Sequence, residues 1–356
     1  MSNLCACFNN DGKTVTLNSL SFLRIVFMFL IFLEHYPMTP LRVGSKAVCF
    51  FFVLSGFVLS YGYGRKLQTM TYKNFIIGRV CKLYPLHWLL LPIGFYINRG
   101  YIEQTWYFIP ANFLLLQSWI PDSNSYYSGN GLSWFLSTTL FLYIVFPYLW
   151  KICSRLSIRR NLFIFIILIA IRCSLDYTIH GDMRVDLLYI SPAVRWMDFT
   201  VGIITFIIYK SCVKNNLLET KQVMIAVFSI ILPISAFYAT YNKPVYPLAI
   251  FWISYSCLIC GSALVETIYK KDENEEQHYP KFIRIVNGLS NISFSFYLLH
   301  QIVILILFNH KPLNILNDEF AKFIIILTVC LVLAYISHHY FEKPISKQLR
   351  SLISRQ

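Results

Sequence analysis

The run Leu23-Arg24-Ile-Val-Phe-Met-Phe-Leu-Ile-Phe-Leu-Glu34-His35 places a guanidinium and an imidazole at the two ends of an apolar stretch. Arg24 and His35 are eleven residues apart. In an α-helix, at about 100° per residue, that spacing is three turns plus about 20°, so both side chains share one face. At about 1.5 Å per residue they stand roughly 16 Å apart along the axis. They cannot touch, but they can hold two ends of one long ligand. A neutral imidazole is matched to proton abstraction near pH 7, and a guanidinium to bidentate grip on an anion. Glu34 points about 80° away from Arg24 and stands off that row. The bland alternative is that Arg24 snorkels to headgroups and His35 sits in the interface.

Other polar residues sit in apolar surroundings. Arg195 and Asp198, three apart, can pair on one helical face, and a structural ion pair explains them equally well. His300 lies inside the run Ser295-Phe-Tyr-Leu-Leu-His300, where a helix–helix hydrogen bond is the plain explanation. Arg79 and Lys82 flank the start of another apolar run and suit anionic lipid or an anionic ligand. The remaining histidines fall near run ends or in loops.

The elements that must position these groups follow from composition. Of 356 residues 56% are hydrophobic and only 13% charged, with 30 Phe and 24 Tyr and a mean hydropathy of +0.55. A soluble domain carries roughly 25% charged residues. Disorder, collagen, coiled coil and an ordinary cytosolic enzyme are excluded, and a polytopic membrane protein is indicated. The net charge of +14 then belongs to loops on one side of the bilayer and not to nucleic-acid binding. Ten Cys are scattered through apolar segments as small buried hydrophobes, and no metal centre is expected.

Runs of about 20 apolar residues predict an all-α bundle with spans near 18–36, 46–63, 83–98, 132–150, 161–176, 188–209, 222–240, 245–266, 286–308 and 320–340. The shorter run 107–119, flanked by Pro110 and Pro121, reads as re-entrant or interfacial. With both termini cytoplasmic, the inside segments hold 21 Lys and Arg and the outside segments 6. Counting 107–119 as a span would move the basic loop 151–160 outside and break that pattern. Residues 1–356 are expected to form a single membrane domain without a soluble part, in a multi-pass protein of the inner (plasma) membrane.

Taken together, several segments resemble acyltransferase family 3, integral membrane acyltransferases that modify cell-surface glycans and other small acceptors. Arg24 and His35 fit that family's Arg-x10-His pattern, and Phe50-Phe-Phe-Val-Leu-Ser55-Gly56-Phe57 is similar to its FFxLSGF signature. Arg79-Val-Cys-Lys82-Leu-Tyr-Pro85 is similar to its Arg-x-x-Arg-x-x-Pro. Trp134 to Pro147, with Tyr143, and Arg195-Trp-Met-Asp198-Phe-Thr-Val-Gly202 resemble two further segments. Ser295-Phe-Tyr-Leu-Leu-His300 and Phe341-Glu342-Lys-Pro344 match late elements. Two departures stand out. Lys82 replaces the second Arg, keeping charge but losing the planar fork, and Thr139 stands where many members carry a Glu.

The resemblance implies transfer of an acyl group, most often acetyl, from cytoplasmic acetyl-CoA to an acceptor hydroxyl. The acceptor would be a surface polysaccharide (O-antigen, capsule or exopolysaccharide) or its lipid-linked precursor. His35 would be the general base, Arg79 and Lys82 would hold donor phosphates, and Arg24 would guide the donor further along. Ser55, Tyr143, Arg195, Asp198, His300 and Glu342 are supporting polar groups. Acetyl-CoA is then a substrate, no permanently bound cofactor is expected, and the partners are the donor, the glycan and membrane lipids. The competing class is a transporter or flippase of a polysaccharide pathway. It predicts polar residues near midplane in matching halves, which this sequence lacks.

Overall fold

The computed structural model describes residues 6–8, 14–39, 43–97, 106–214, 249–272, 281–309 and 318–353. A pair of antiparallel three-residue strands, β1 (Ala6–Phe8) and β2 (Thr14–Thr16), precedes the bundle. The long helices are α1 (Asn18–His35), α2 (Gly44–Tyr63), α3 (Tyr72–Ile97), α6 (Trp134–Arg155) and α7 (Ile158–Thr178). They continue with α8 (Pro192–Lys214), α9 (Ala249–Asp272), α10 (Lys281–Asn309) and α11 (Glu319–Ile336). Short helices α4 (Phe108–Phe113) and α5 (Ser123–Tyr126) lie between α3 and α6, and α12 (Lys343–Ile353) closes the chain. Among the described residues, eight helical segments are long and apolar enough to cross a bilayer. Helix α7, which contains the expected span 161–176, is a further helix of 21 residues that packs on α8. The expected span 222–240 lies outside the described residues.

Two helix starts are satisfied from elsewhere in the bundle. The first backbone N–H groups of any helix lack intrahelical acceptors and carry partial positive charge. Glu266 of α9 accepts from the amides of Asn18 and Ser19, both at 2.8 Å, and so caps α1. Glu34, at the end of α1, reaches over to α2 and accepts from Val43 at 2.5 Å and Gly44 at 3.0 Å. The acidic residue that stands off the Arg24–His35 row therefore fixes the turn immediately beside His35.

The Phe-Phe-Val-Leu-Ser-Gly-Phe segment works by close approach. Helices α2 and α8 cross where Gly56 meets Gly202, and a methyl group on either glycine would overlap a carbonyl oxygen of the other helix, that of Phe199 or Val53. On either side of the crossing, Cys49 donates to Asp198 at 3.1 Å and Phe57 packs edge-on against Phe206 and Tyr209. These contacts advance together along both helices, so the pair is parallel.

Pro85 and Pro92 lie inside α3. A helix proline has no N–H for the carbonyl four residues earlier. For Pro85 that carbonyl belongs to Cys81, and it accepts instead from the Ser346 hydroxyl of α12 at 2.6 Å. Arg350 donates to Gly78 O at 3.1 Å, so α12 is fastened along the end of α3 that carries Arg79 and Lys82.

The run 107–119 is broken and does not form one long helix. Helix α4 ends with Leu115 at φ 56°, the left-handed region, while Leu116 donates to Ala111 O and Leu115 to Asn112 O. This pair of bonds is the Schellman arrangement that terminates helices. His87 of α3 holds the segment down by donating from Nε2 to Asn112 O at 2.8 Å.

Candidate active site

Helices α1 and α10 pair along their length and position the first group of residues. Near one end, Arg24 Nη1 donates to Ser290 Oγ at 3.3 Å. Near the other, His35 meets His300, with ring centroids 5.1 Å apart and planes inclined by 67°. Both pairs advance in the same direction, so the helices are parallel. The spacing Ser290–His300 on α10 nearly matches Arg24–His35 on α1, which is why one pairing carries both contacts.

The hydrogen bonds select the tautomers. His35 Nδ1 lies 2.8 Å from Ile31 O, and His300 Nδ1 lies 3.2 Å from Phe296 O. A carbonyl only accepts, so in the neutral rings each Nδ1 bears the hydrogen and each Nε2 the lone pair. His300 Nε2 is 3.3 Å from His35 Nδ1, so the His35 N–H is shared between Ile31 O and the His300 lone pair. His35 is half-buried and keeps its basic Nε2 for another partner, whereas His300 is buried between Phe32, Phe296 and Tyr297. If His35 takes a proton at Nε2, the bonds from its Nδ1–H to Ile31 O and His300 Nε2 become charge-assisted. The arrangement is a base with a built-in support for its conjugate acid.

The second group lies toward the Arg24 end. Arg79, 4% exposed, donates from Nη2 to the Tyr63 hydroxyl and stacks over that ring at 4.6 Å. Its guanidinium carbon is 5.7 Å from the centre of Tyr143. Arg79 Nε and Nη1 are buried and meet no acceptor among the described residues. The charges of Arg79, Arg24 and Glu342 all act on the half-buried Lys82 ammonium, and those of Arg79 and Arg24 act on Tyr143. Among the described residues, three cations thus share one region with the Glu342 carboxylate. Glu342 is held there by the hydroxyls of Ser295 and Ser337. Like charges repel at close range in low dielectric, and unfilled buried donors carry a desolvation penalty, so the cluster is electrostatically suited to a polyanion.

Arg195 and Asp198 form a buried ion pair, at 3.0 Å with both side chains fully enclosed. Asp198 also accepts from Trp252 Nε1 at 2.5 Å and from Cys49, while Arg195 Nε donates to Tyr189 O at 2.7 Å. These partners bind α8 to α2 and α9, which is the work of a structural ion pair. Ser55 is half-buried on α2 immediately before Gly56. Thr139 is buried on α6, and its hydroxyl has no partner among the described residues.

Sequence spacing reached Arg24 and His35 but not the residues across from them. Ser290 and the role of His300 toward His35 depend on helix pairing over more than two hundred residues, whereas Tyr63 meets Arg79 across the short connection from α2 to α3. The one available signal was the repeated offset of ten to eleven residues between polar groups in two apolar runs.

The acyltransferase domain family matches residues 17–339 of the chain. An acyltransferase designated MdmB, from Streptomyces mycarofaciens, is 27% identical over 282 residues, covering 74% of this chain and 68% of that protein. No solved structure matches. With a family match spanning both the histidine pair and the cationic cluster, the chain belongs to the acyltransferase 3 family and is a multi-pass membrane acyltransferase.

Proposed function

We propose that the protein moves an acetyl group from cytoplasmic acetyl-CoA to a hydroxyl of a cell-surface polysaccharide or its lipid-linked precursor, in the inner membrane. The observation that carries this reading is the division of labour along α1 and α10. A base with a fixed tautomer stands at one end, and three cations with unfilled Arg79 donors stand toward the other. A donor that is anionic at one end and reactive at the other fits that polarity. Arg79 and Lys82 hold its phosphates, and Arg24, roughly 16 Å from His35 along the helix, guides the thioester arm.

In the chemical step His35 Nε2 withdraws the acceptor hydroxyl's proton as the oxygen attacks the thioester carbonyl. The C–S bond breaks, and the imidazolium returns the proton to the departing sulfur. One acetyl group passes from sulfur to oxygen, and CoA leaves as its thiol. While the proton resides on His35, the His300 lone pair stabilises it.

The test is transfer of radiolabelled acetyl from acetyl-CoA in membranes carrying the chain. His35→Ala removes label transfer at matched protein abundance, and Arg79→Ala raises the donor KM. Full label transfer by His35→Ala overturns the assignment. Absence of any donor turnover in the intact protein favours a transport function instead.

A further inference from the structure

Charge is spread unevenly through the bundle. A half-open cavity of about 410 Å³ between α3, α10 and the segment leading into α6 has no Lys, Arg, Asp, Glu or His in its lining among the described residues. The Lys82 ammonium, by contrast, experiences the charges of Arg79, Arg24 and Glu342. Glu342 is the acidic member of that group and is 6% exposed. A carboxylate inside an anion site weakens the site for its own ligand, so its placement there needs a physical reason.

The fold puts Glu342 beside the cations by two devices. Residues Ser337–Glu342 form a π turn between α11 and α12. In an α-helix, residues five apart stand about 140° apart around the axis. The i→i+5 bonding of a π turn brings them to one side, and Ser337 Oγ donates to Glu342 Oε1 at 3.2 Å. Ser295 of α10 donates to the same oxygen. The second device is the seam between α12 and α3. Ser346 bonds to Cys81 O and Arg350 to Gly78 O, so the two helices are antiparallel. Glu342, one turn before Ser346, therefore lies beside the turn of α3 that follows Lys82. His338 Nδ1, on the same π turn, stands 4.0 Å from Glu342 Oε2, beyond hydrogen-bond distance. Two hydroxyl donors and the neighbouring cations thus compensate the buried carboxylate and fix its position.

Resting on the acyl-transfer function proposed above, we infer that Glu342 is an internal counter-charge that lowers the cluster's affinity for the nucleotide portion shared by acetyl-CoA and CoA, so that the thiol product leaves. Donor and product carry the same phosphates, and cations that grip one grip the other. Binding that is equal before and after the acyl group moves does not speed the chemical step, whereas slow product release limits turnover. One fixed carboxylate among three cations weakens the grip on both without touching the thioester end.

The test uses the full chain with three probes: CoA, acetyl-CoA and acetyl-pantetheine, which keeps the thioester arm but carries no phosphate. Glu342→Gln removes the charge and keeps an acceptor oxygen for Ser295 and Ser337. Glu342→Met removes both, and either variant that matches the intact chain's membrane abundance carries the test. The expected result is a Kd for CoA about five- to ten-fold lower, the scale of one unit charge several ångströms away at an effective dielectric of about 20. Inhibition of acetyl transfer by added CoA tightens by the same factor, while the KM for acetyl-pantetheine moves less than about two-fold. An unchanged or weaker CoA affinity overturns the inference, because removing a carboxylate that merely held Lys82 in place would weaken binding. Equal tightening toward acetyl-pantetheine also overturns it, since that probe has no phosphates to feel the charge. Failure of both variants to accumulate marks Glu342 as a residue of the fold and overturns it too. If the intact chain shows no His35-dependent acetyl transfer, the acyl-transfer function fails and takes the inference with it. If transfer is present and only the CoA affinity fails to tighten, the inference fails alone.

Discussion

At the residue scale, one N–H of His35 is shared between a carbonyl and a second imidazole. His300 Nε2 faces His35 Nδ1 at 3.3 Å, so His300 acts through His35 and serves as a positioning residue. His35→Ala should lower acyl transfer by about 10²-fold or more, the usual span of general-base catalysis, in a steady-state assay on membranes. His300→Ala should lower it less, by about ten-fold, and His300→Gln should recover part of that loss because an amide oxygen can accept the same N–H. Since the reactive form is neutral imidazole, the rate should fall on acidification in the intact protein. A His300→Gln variant no more active than His300→Ala would refute the shared-proton role. Arg24→Lys keeps charge but loses the planar fork, so its donor KM should rise, and an unchanged KM would remove any bidentate role for Arg24. The Arg24–His35 row was legible because helix geometry is fixed by sequence spacing alone. Its partners were not, because Ser290 and His300 come from a helix more than 260 residues away.

At the element scale, the glycine-bearing motifs are packing devices. Gly56 and Gly202 let α2 and α8 cross with their backbones in contact, and the neighbouring Arg195–Asp198 pair locks the crossing to α9 through Trp252. Gly202→Ala should lower thermal stability in detergent by about 1–3 kcal/mol, the range for overpacking a tight core. Gly78→Ala on α3, where an added methyl meets nothing within 4 Å, should be neutral or stabilising by up to about 1 kcal/mol. Equal melting behaviour of the two variants would contradict the crossing. Glu34→Gln weakens the carboxylate cap on α2 and should cost about 1 kcal/mol, with a partial loss of activity, because that cap fixes the turn beside His35. The sequence showed that these segments were helical and apolar. It did not show which glycines touch, because close approach depends on a crossing point that no single helix encodes. Glu34 illustrates the same limit: its helical angle removed it from the catalytic row, and only the fold reveals the helix start it serves.

At the scale of the whole molecule, a polar cavity with an uncharged lining and a cationic cluster occupy different parts of one bundle, on helices that share α10 and α3. The charge asymmetry of the loops predicts that the cationic cluster faces the cytoplasm. In a background where the exposed Cys173 is changed to Ser, a membrane-impermeant maleimide should label Ser123→Cys from outside and Lys151→Cys only after permeabilisation. The reverse pattern would invert the donor and acceptor sides. The bundle's helical class was legible from composition, since 13% charge cannot coat a water-soluble surface of this size. The cavity with an uncharged lining was not, because it is assembled from a broken run and a distant helix. The most direct measurement is the acetyl content of the host's surface glycan by NMR in a deletion strain, the same strain carrying the chain, and the strain carrying His35→Ala at equal membrane abundance. Acetyl signals that appear with the intact chain and vanish with His35→Ala are the predicted result, whereas equal acetylation in all three strains would contradict it.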